Sequence, residues 1–281
     1  MDINLQVLDK SRNGHTDSVV CLVSHCDEKG NKFIYSGGHD NTIRKWNNKG
    51  ECVQVLDKSR SGHTNSVYCL VSNCDEKGNK FIYSGSIDDT IRKWNDKDEC
   101  VQVLDKLRGG HAYSVWCLVS HCDEKGDKFI YSGSGDNTIR KWNGKGECVQ
   151  VLDESRGGHT NSVLCLVSYC DEKGNKFIYS GGCDETIRKW NDKDECVQVL
   201  DVSRGGHTNT VRCLVSHRDE RGNKFIYSGS YDYTIRKWGE YWPCYYTSLS
   251  TFQKEKIKNW KSSNFGIQKD LHFLFERELL L

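Results

Sequence analysis

One block of 48 residues recurs five times in register along this 281-residue chain, and that period limits the fold more than any other feature. Gly-His pairs end at His15, His63, His111, His159 and His207. Asp40, Asp88, Asp136, Asp184 and Asp232 keep the same step, as do Trp46, Trp94, Trp142, Trp190 and Trp238. The array runs to Trp238, and a stretch without the repeat follows, Gly239–Leu281.

Each unit reads as four short strands. In the first copy they are VVCLVS (Val19–Ser24), KFIYS (Lys32–Ser36), TIRKW (Thr42–Trp46) and CVQVL (Cys52–Leu56). Turn residues part them, with glycine at Gly30 and Gly37. Strands of about five residues spaced 8–12 apart signal an all-β chain, and four per period of about 40–50 signal a propeller blade. Abundant glycine (26) and a single proline suit that architecture.

Gly-His followed by Ser-Gly-x-x-Asp-x-Thr-Ile-Arg-x-Trp resembles the WD-repeat (WD40) pattern. The resemblance covers all five copies and implies a β-propeller of five four-stranded antiparallel blades over residues 1–238, with 239–281 as a separate tail. Leu5–Asp9 repeats the fourth-strand sequence Val53–Asp57, while the last copy has no matching strand after Trp238. The N-terminal strand is therefore expected to complete the fifth blade and close the ring, which removes an open sheet edge. Two other readings stay open: the tail adds strands, or the chain is a fragment of a longer propeller. Two departures from the family pattern stand out. Asn47, Asn95, Asn143, Asn191 and Gly239 replace the Asp after Trp, and Lys45 and its equivalents take a usually apolar place in the third strand. That lysine is expected to reach out of the space between blades by its tip.

The family resemblance also assigns a hydrogen-bonded chain within each blade. Its members are His15, Ser36, Asp40, Trp46; His63, Ser84, Asp88, Trp94; His111, Ser132, Asp136, Trp142; His159, Ser180, Asp184, Trp190; and His207, Ser228, Asp232, Trp238. A Ser/His/Asp set invites a nucleophilic reading. Five identical copies without an oxyanion-hole element favour a structural one. Cys21/Cys26 repeat as Cys69/Cys74, Cys117/Cys122 and Cys165/Cys170, but Arg218 breaks the pair in the last copy and no His keeps step. They read as small buried hydrophobes, with no metal and no cofactor expected.

The copies differ from one another in few columns. Val20, Tyr68, Trp116, Leu164 and Arg212 occupy one; His39, Ile87, Gly135, Cys183 and Tyr231 occupy another. The column after the turn aspartate varies too: Asn41, Asp89, Asn137, Glu185 and Tyr233. Exposed-looking columns such as Glu51 and Gln54 persist in the later copies, which drift would not spare. If His15 bonds Asp40, as the resemblance implies, the variable columns share one end of every blade. In the WD-repeat family that face commonly binds partners.

The expected function is therefore a non-enzymatic scaffold binding a protein or peptide, as a monomer or within a larger complex. The alternatives are the recognition array of an immune-type sensor, a ubiquitin-ligase substrate receptor and, last, a propeller hydrolase. A formal charge of +1 gives no electrostatic case for nucleic acid or an anionic membrane. The start Met1-Asp2-Ile3-Asn4 lacks a signal pattern and the cysteines follow the repeat, so a cytoplasmic home is expected, the nucleus being compatible. In the tail, packing or disorder is the expectation, with Tyr241–Tyr246 a candidate cap for a blade edge and Gly266–Leu281 a candidate short amphipathic helix; a docking peptide is the alternative.

Overall fold

Alternation along each strand sorts the repeat into two apolar faces, and this decides how the copies pack. The computed structural model describes residues 7–9, 11, 13–171 and 173–239. Blade 1 comprises β1 (Val19–Cys26), β2 (Lys32–Gly38), β3 (Ile43–Trp46) and β4 (Cys52–Leu56). Blade 2 follows with β5 (Val67–Cys74), β6 (Lys80–Ser86), β7 (Ile91–Trp94) and β8 (Cys100–Leu104). Blade 3 holds β9 (Val115–Cys122), β10 (Lys128–Ser134), β11 (Ile139–Trp142) and β12 (Cys148–Leu152). Blade 4 holds β13 (Val163–Cys170), β14 (Lys176–Gly182), β15 (Ile187–Trp190) and β16 (Cys196–Leu200). Blade 5 has β17 (Val211–Arg218), β18 (Lys224–Ser230) and β19 (Ile235–Trp238). The fold is an all-β, five-bladed propeller array of antiparallel meanders, four-stranded in blades 1–4 and three-stranded in blade 5 among the described residues. The first strand runs two residues past the expected Ser24, because His25 and Cys26 still pair with Phe33 and Lys32.

The core lies in the seams between blades. Phe33, Tyr35, Ile43 and Leu56 on the downstream face of blade 1 pack against Val67, Leu70, Ile82 and Trp94 on the upstream face of blade 2. The same set recurs between blades 2 and 3 and between blades 3 and 4. Val67, Val115, Val163 and Val211 are fully buried there, each worth about 1.5–3 kcal/mol. Glycine is required opposite them: a Cβ on Gly133 would lie 2.6 Å from Cys117 Sγ and 2.7 Å from Val163 Cγ1. Gly133→Ala is expected to lower stability by about 1–3 kcal/mol through overpacking. Gly229→Ala, which meets only Cys213 of its own blade, is expected to cost less; urea midpoints of the two variants compare them.

The third-strand lysine corrects the sequence expectation. Lys45 lies on the same face as Ile43, is buried, and sits 4.4 Å above the Phe33 ring. Its Nζ donates into the next blade, to Asp98 at 2.9 Å, where the Tyr35 hydroxyl also donates at 2.7 Å. The tip does not leave the seam; it closes it.

These polar closures alternate. Between blades 1 and 2, His25 meets Asp96 at 3.1 Å, the Glu28 amide donates to the same carboxylate, and Lys45 and Tyr35 meet Asp98. Between blades 3 and 4 the arrangement returns as His121 with Asp192, the Glu124 amide with Asp192, and Lys141 and Tyr131 with Asp194. Between blades 2 and 3, Asn73 stands where those histidines stand and Gly144 and Gly146 replace the acids. Lys93 there donates to the Gly144 carbonyl at 2.9 Å. Gly50 and Gly146 adopt φ of 72° and 74°; Asp98 and Asp194 hold the same left-handed position at 62° and 60°. Aspartate adopts that conformation less readily than glycine, and here it delivers the carboxylate that the lysine and tyrosine share.

The two ends of the array are open among the described residues. Leu22 is 66% exposed where its equivalent Leu70 is 9%, and Ile235 is 76% exposed where Ile187 is 1%. Among the described residues no strand joins β19 to complete blade 5, and the expected closing segment Leu5–Asp9 is described only in part. Residues 1–6 lie outside the described residues, and Asp9 accepts from the Gly14 amide, the linker geometry that Asp57 repeats with Gly62 ahead of blade 2. The chain divides into two compact units, Met1–Lys237 and Trp238–Leu281. The capping and helical segments expected in the tail lie outside the described residues.

Candidate functional site

The hydrogen-bonded sets assemble as the sequence implied. His15 Nδ1 meets Asp40 at 2.9 Å and its Nε2 meets Ser36 Oγ at 2.7 Å, while the Trp46 indole donates to the same hydroxyl at 2.8 Å. The sets of His63, His111 and His159 repeat these bonds with Trp94, Trp142 and Trp190. In blade 5, His207 meets Asp232 at 2.8 Å and Ser228 at 2.7 Å. Burial works against ionising Asp40, yet the Thr16 amide, His15 and Thr42 outweigh it and hold its pKa at about 2. Asp88, Asp136 and Asp184 are likewise held well below the carboxylate range, their histidines and threonines prevailing over burial. Burial lowers the pKa of His63, His111 and His159 against the pull of those aspartates, which keeps the rings neutral. Ser132 and Ser180 are fully buried, each held between its histidine and the indole N–H that it accepts, so neither hydroxyl has the access a nucleophile needs.

Sequence reasoning passed over one member of this arrangement. Arg44, Arg92, Arg140, Arg188 and Arg236 each pair with the blade's aspartate and donate to a carbonyl in the linker before the histidine, at residues 13, 61, 109, 157 and 205. The invariant Thr-Ile-Arg-Lys-Trp held the signal; a charged residue kept through every copy inside a strand asks for a partner.

The inner cysteines are seam residues. Cys21 and Cys117 lie against the next blade, and burial raises both thiols to about 12, unfit for nucleophilic or ligand chemistry. The fourteen described cysteines are all free, and no three ligand-type side chains gather to hold a metal ion among the described residues.

The variable columns come together. His39, Ile87, Gly135, Cys183 and Tyr231 donate their amides to the carbonyls of Ser18, Ser66, Ser114, Ser162 and Thr210, at 2.9–3.1 Å. Those acceptors stand two residues before Val20, Tyr68, Trp116, Leu164 and Arg212. Every member of the latter column occupies the register shift between the first two strands of its blade. A bulge residue is released from the ladder and its side chain is re-aimed, which frees the position to vary without disturbing a seam. The third column, Asn41, Asp89, Asn137, Glu185 and Tyr233, is held at φ of 64–67° in the turn beside it.

Neighbouring blades connect through these side chains. His39 bonds Ser66 Oγ at 3.0 Å and meets the Tyr68 ring edge-on at 5.4 Å. Tyr68 meets Trp116 edge-on at 4.8 Å, and within blade 5 the Arg212 guanidinium lies 5.4 Å over the Tyr231 ring. The Trp116 indole N–H is shielded from solvent without a hydrogen-bond acceptor, and a Cβ on Gly135 would stand 3.3 Å from it. Beside it Tyr113 is exposed. Val20, Arg212 and Tyr231 are exposed, and Tyr68, Trp116, Leu164, His39, Ile87, Gly135 and Cys183 are half-buried. Three of the side chains that differ, His39, Tyr68 and Trp116, thus form a partly open aromatic run across blades 1–3, and Arg212 with Tyr231 forms a separate pair in blade 5.

A family model for the WD domain, G-beta repeat, matches residues 6–47, 50–95, 98–143, 146–191 and 194–239. No curated protein matches the chain.

Proposed function

The chain belongs to the WD40 repeat family, whose kind of function is scaffolding of protein interactions, and from that premise we propose that it binds a protein or peptide on the face carrying its variable columns. The reading rests on one observation above all: the copies of a nearly invariant unit differ at the bulge column and at the turn column bonded to it, and three of those residues make an aromatic run from His39 through Tyr68 to Trp116. Tyr, Trp and Arg dominate interface energetics, and Tyr68, Trp116, Arg212 and Tyr231 supply all three. The seams and hydrogen-bonded sets give a rigid support, and the proposed role is non-enzymatic. Neither nucleic acid nor membrane is proposed as partner, the formal charge being +1. Free cysteines at seam positions suit a reducing compartment, the cytoplasm or the nucleus.

Affinity capture with the chain as bait, against a variant flattened to alanine in both variable columns, selects partners that depend on this face. For such a partner, Trp116→Ala and Tyr231→Ala are each expected to weaken binding by about 2 kcal/mol or more by calorimetry. Unchanged affinity in both would reject the assignment.

A further inference from the structure

The alternation of the seams makes the downstream face of blade 5, open among the described residues, chemically selective. Blades 1 and 3 carry His25 and His121 one residue before the end of their first strand, and each is followed by a blade whose turn carries two aspartates. Blades 2 and 4 carry Asn73 and Tyr169 at that place. Blade 5 is of the first kind: it carries His217, with Tyr227 and Lys237 in the places of Tyr35 and Lys45.

These groups are already arranged. Lys237 Nζ stands 3.6 Å over the Phe225 ring, as Lys45 stands over Phe33, and His217 meets the Tyr227 ring at 6.0 Å, as His25 meets Tyr35 at 5.7 Å. Yet His217 and Lys237 are exposed where His25 and Lys45 are buried, and neither pairs with a carboxylate among the described residues. Blade 1 cannot supply what they lack. Its upstream turn, Asn47–Gly50, has Asn48 and Gly50 where blades 2 and 4 have Asp96, Asp98, Asp192 and Asp194. A second copy docking head to tail would bring the same acid-free turn. The upstream faces of blades 2 and 4, which do hold acids, are occupied within the chain.

We propose that the downstream face of blade 5 docks a WD-type blade of a second, different polypeptide, recognised by two carboxylates spaced i and i+2 on its turn between third and fourth strands. One carboxylate meets Lys237 and Tyr227. The other meets His217 and the amide of Glu220, which corresponds to Glu28 in blade 1. The apolar part of the contact repeats the seams already inside the chain, with Val215, Phe225 and Ile235 receiving the partner's first-strand valine and leucine.

The full chain can be made into the probe. Asn48→Asp with Gly50→Asp gives blade 1 the acidic turn, at positions where blades 2 and 4 already hold aspartate. Lys237→Glu in the same chain prevents it from docking on itself. In sedimentation velocity this triple variant is expected to form a one-to-one complex with the unaltered chain, about tenfold or more tighter than the unaltered chain binds itself. Added salt should reduce the gain. A receiving chain with His217→Ala and Lys237→Met should abolish it. Circular dichroism checks folding, and Gly50→Asp with Lys237→Glu is the fallback, testing the Lys237 half alone with a smaller gain expected. Equal association with and without the acidic turn would overturn the proposal, as would a gain that survives His217→Ala and Lys237→Met. So would an N48D/G50D chain that melts higher while staying monomeric, since the two faces would then meet within one molecule.

Discussion

Asp136→Ala is expected to lower the unfolding free energy by about 3–5 kcal/mol, the cost of leaving a buried partner uncompensated. The Asp136 carboxylate accepts from His111 Nδ1 at 2.9 Å, from the Thr138 hydroxyl at 2.6 Å and from the Ala112 amide at 3.1 Å, and it pairs with Arg140. Its removal orphans donors in the linker, the turn and the third strand at once. The disturbance would also pass through His111 to Ser132 and the Trp142 indole, which sits in a seam. Urea titration followed by circular dichroism measures the loss. A change below about 1 kcal/mol, the scale of an ordinary substitution, would contradict this account. Trp116→Ala, in the same blade but outside the network, is expected to leave the midpoint much closer to that of the unaltered chain.

Acid should weaken the fold in two stages. The buried rings of His63, His111 and His159 bind a proton less readily than the ordinary 6.5, burial being the main cause. The unfolded chain takes up those protons first, so their contribution is complete above pH 6.5 and is lost as pH falls below it. The partner aspartates Asp88, Asp136 and Asp184 are shifted below 3.8, so their contribution is complete above 3.8 and drains away under it. The urea midpoint is expected to hold above about pH 7, decline from about 6.5, and fall steeply below about 4. A midpoint that stays level from neutrality down to pH 4 would sink this reading. Asp136→Asn should flatten the steep limb by removing one of the carboxylates that drives it.

The fold was legible because each copy repeats its own evidence: a pattern ambiguous once, such as KFIYS, becomes a strand when it recurs beside the same turn five times. The hydrogen-bonded sets were legible for the same reason. The variable columns could be found by comparing copies, but not their cause, since a bulge at Val20 or Trp116 is a matter of register that side-chain identity does not reveal. Lys45 was misjudged because its partner, Asp98, lies 53 residues away in another blade. The acidic turns are hard to read from sequence because they separate the copies into two kinds and leave no column with five different residues.

The alternating seams also bear on how such an array can lengthen or shorten in a genome. Recombination between near-identical segments adds or deletes whole units. Inserting a lone copy behind blade 1 would set two blades of one kind side by side, and His25 and Lys45 would face a turn without acids. Gain or loss in pairs preserves each junction as it stands. Ninety-six residues, two periods, are therefore the step by which the copy number can change without a stability penalty at any internal boundary.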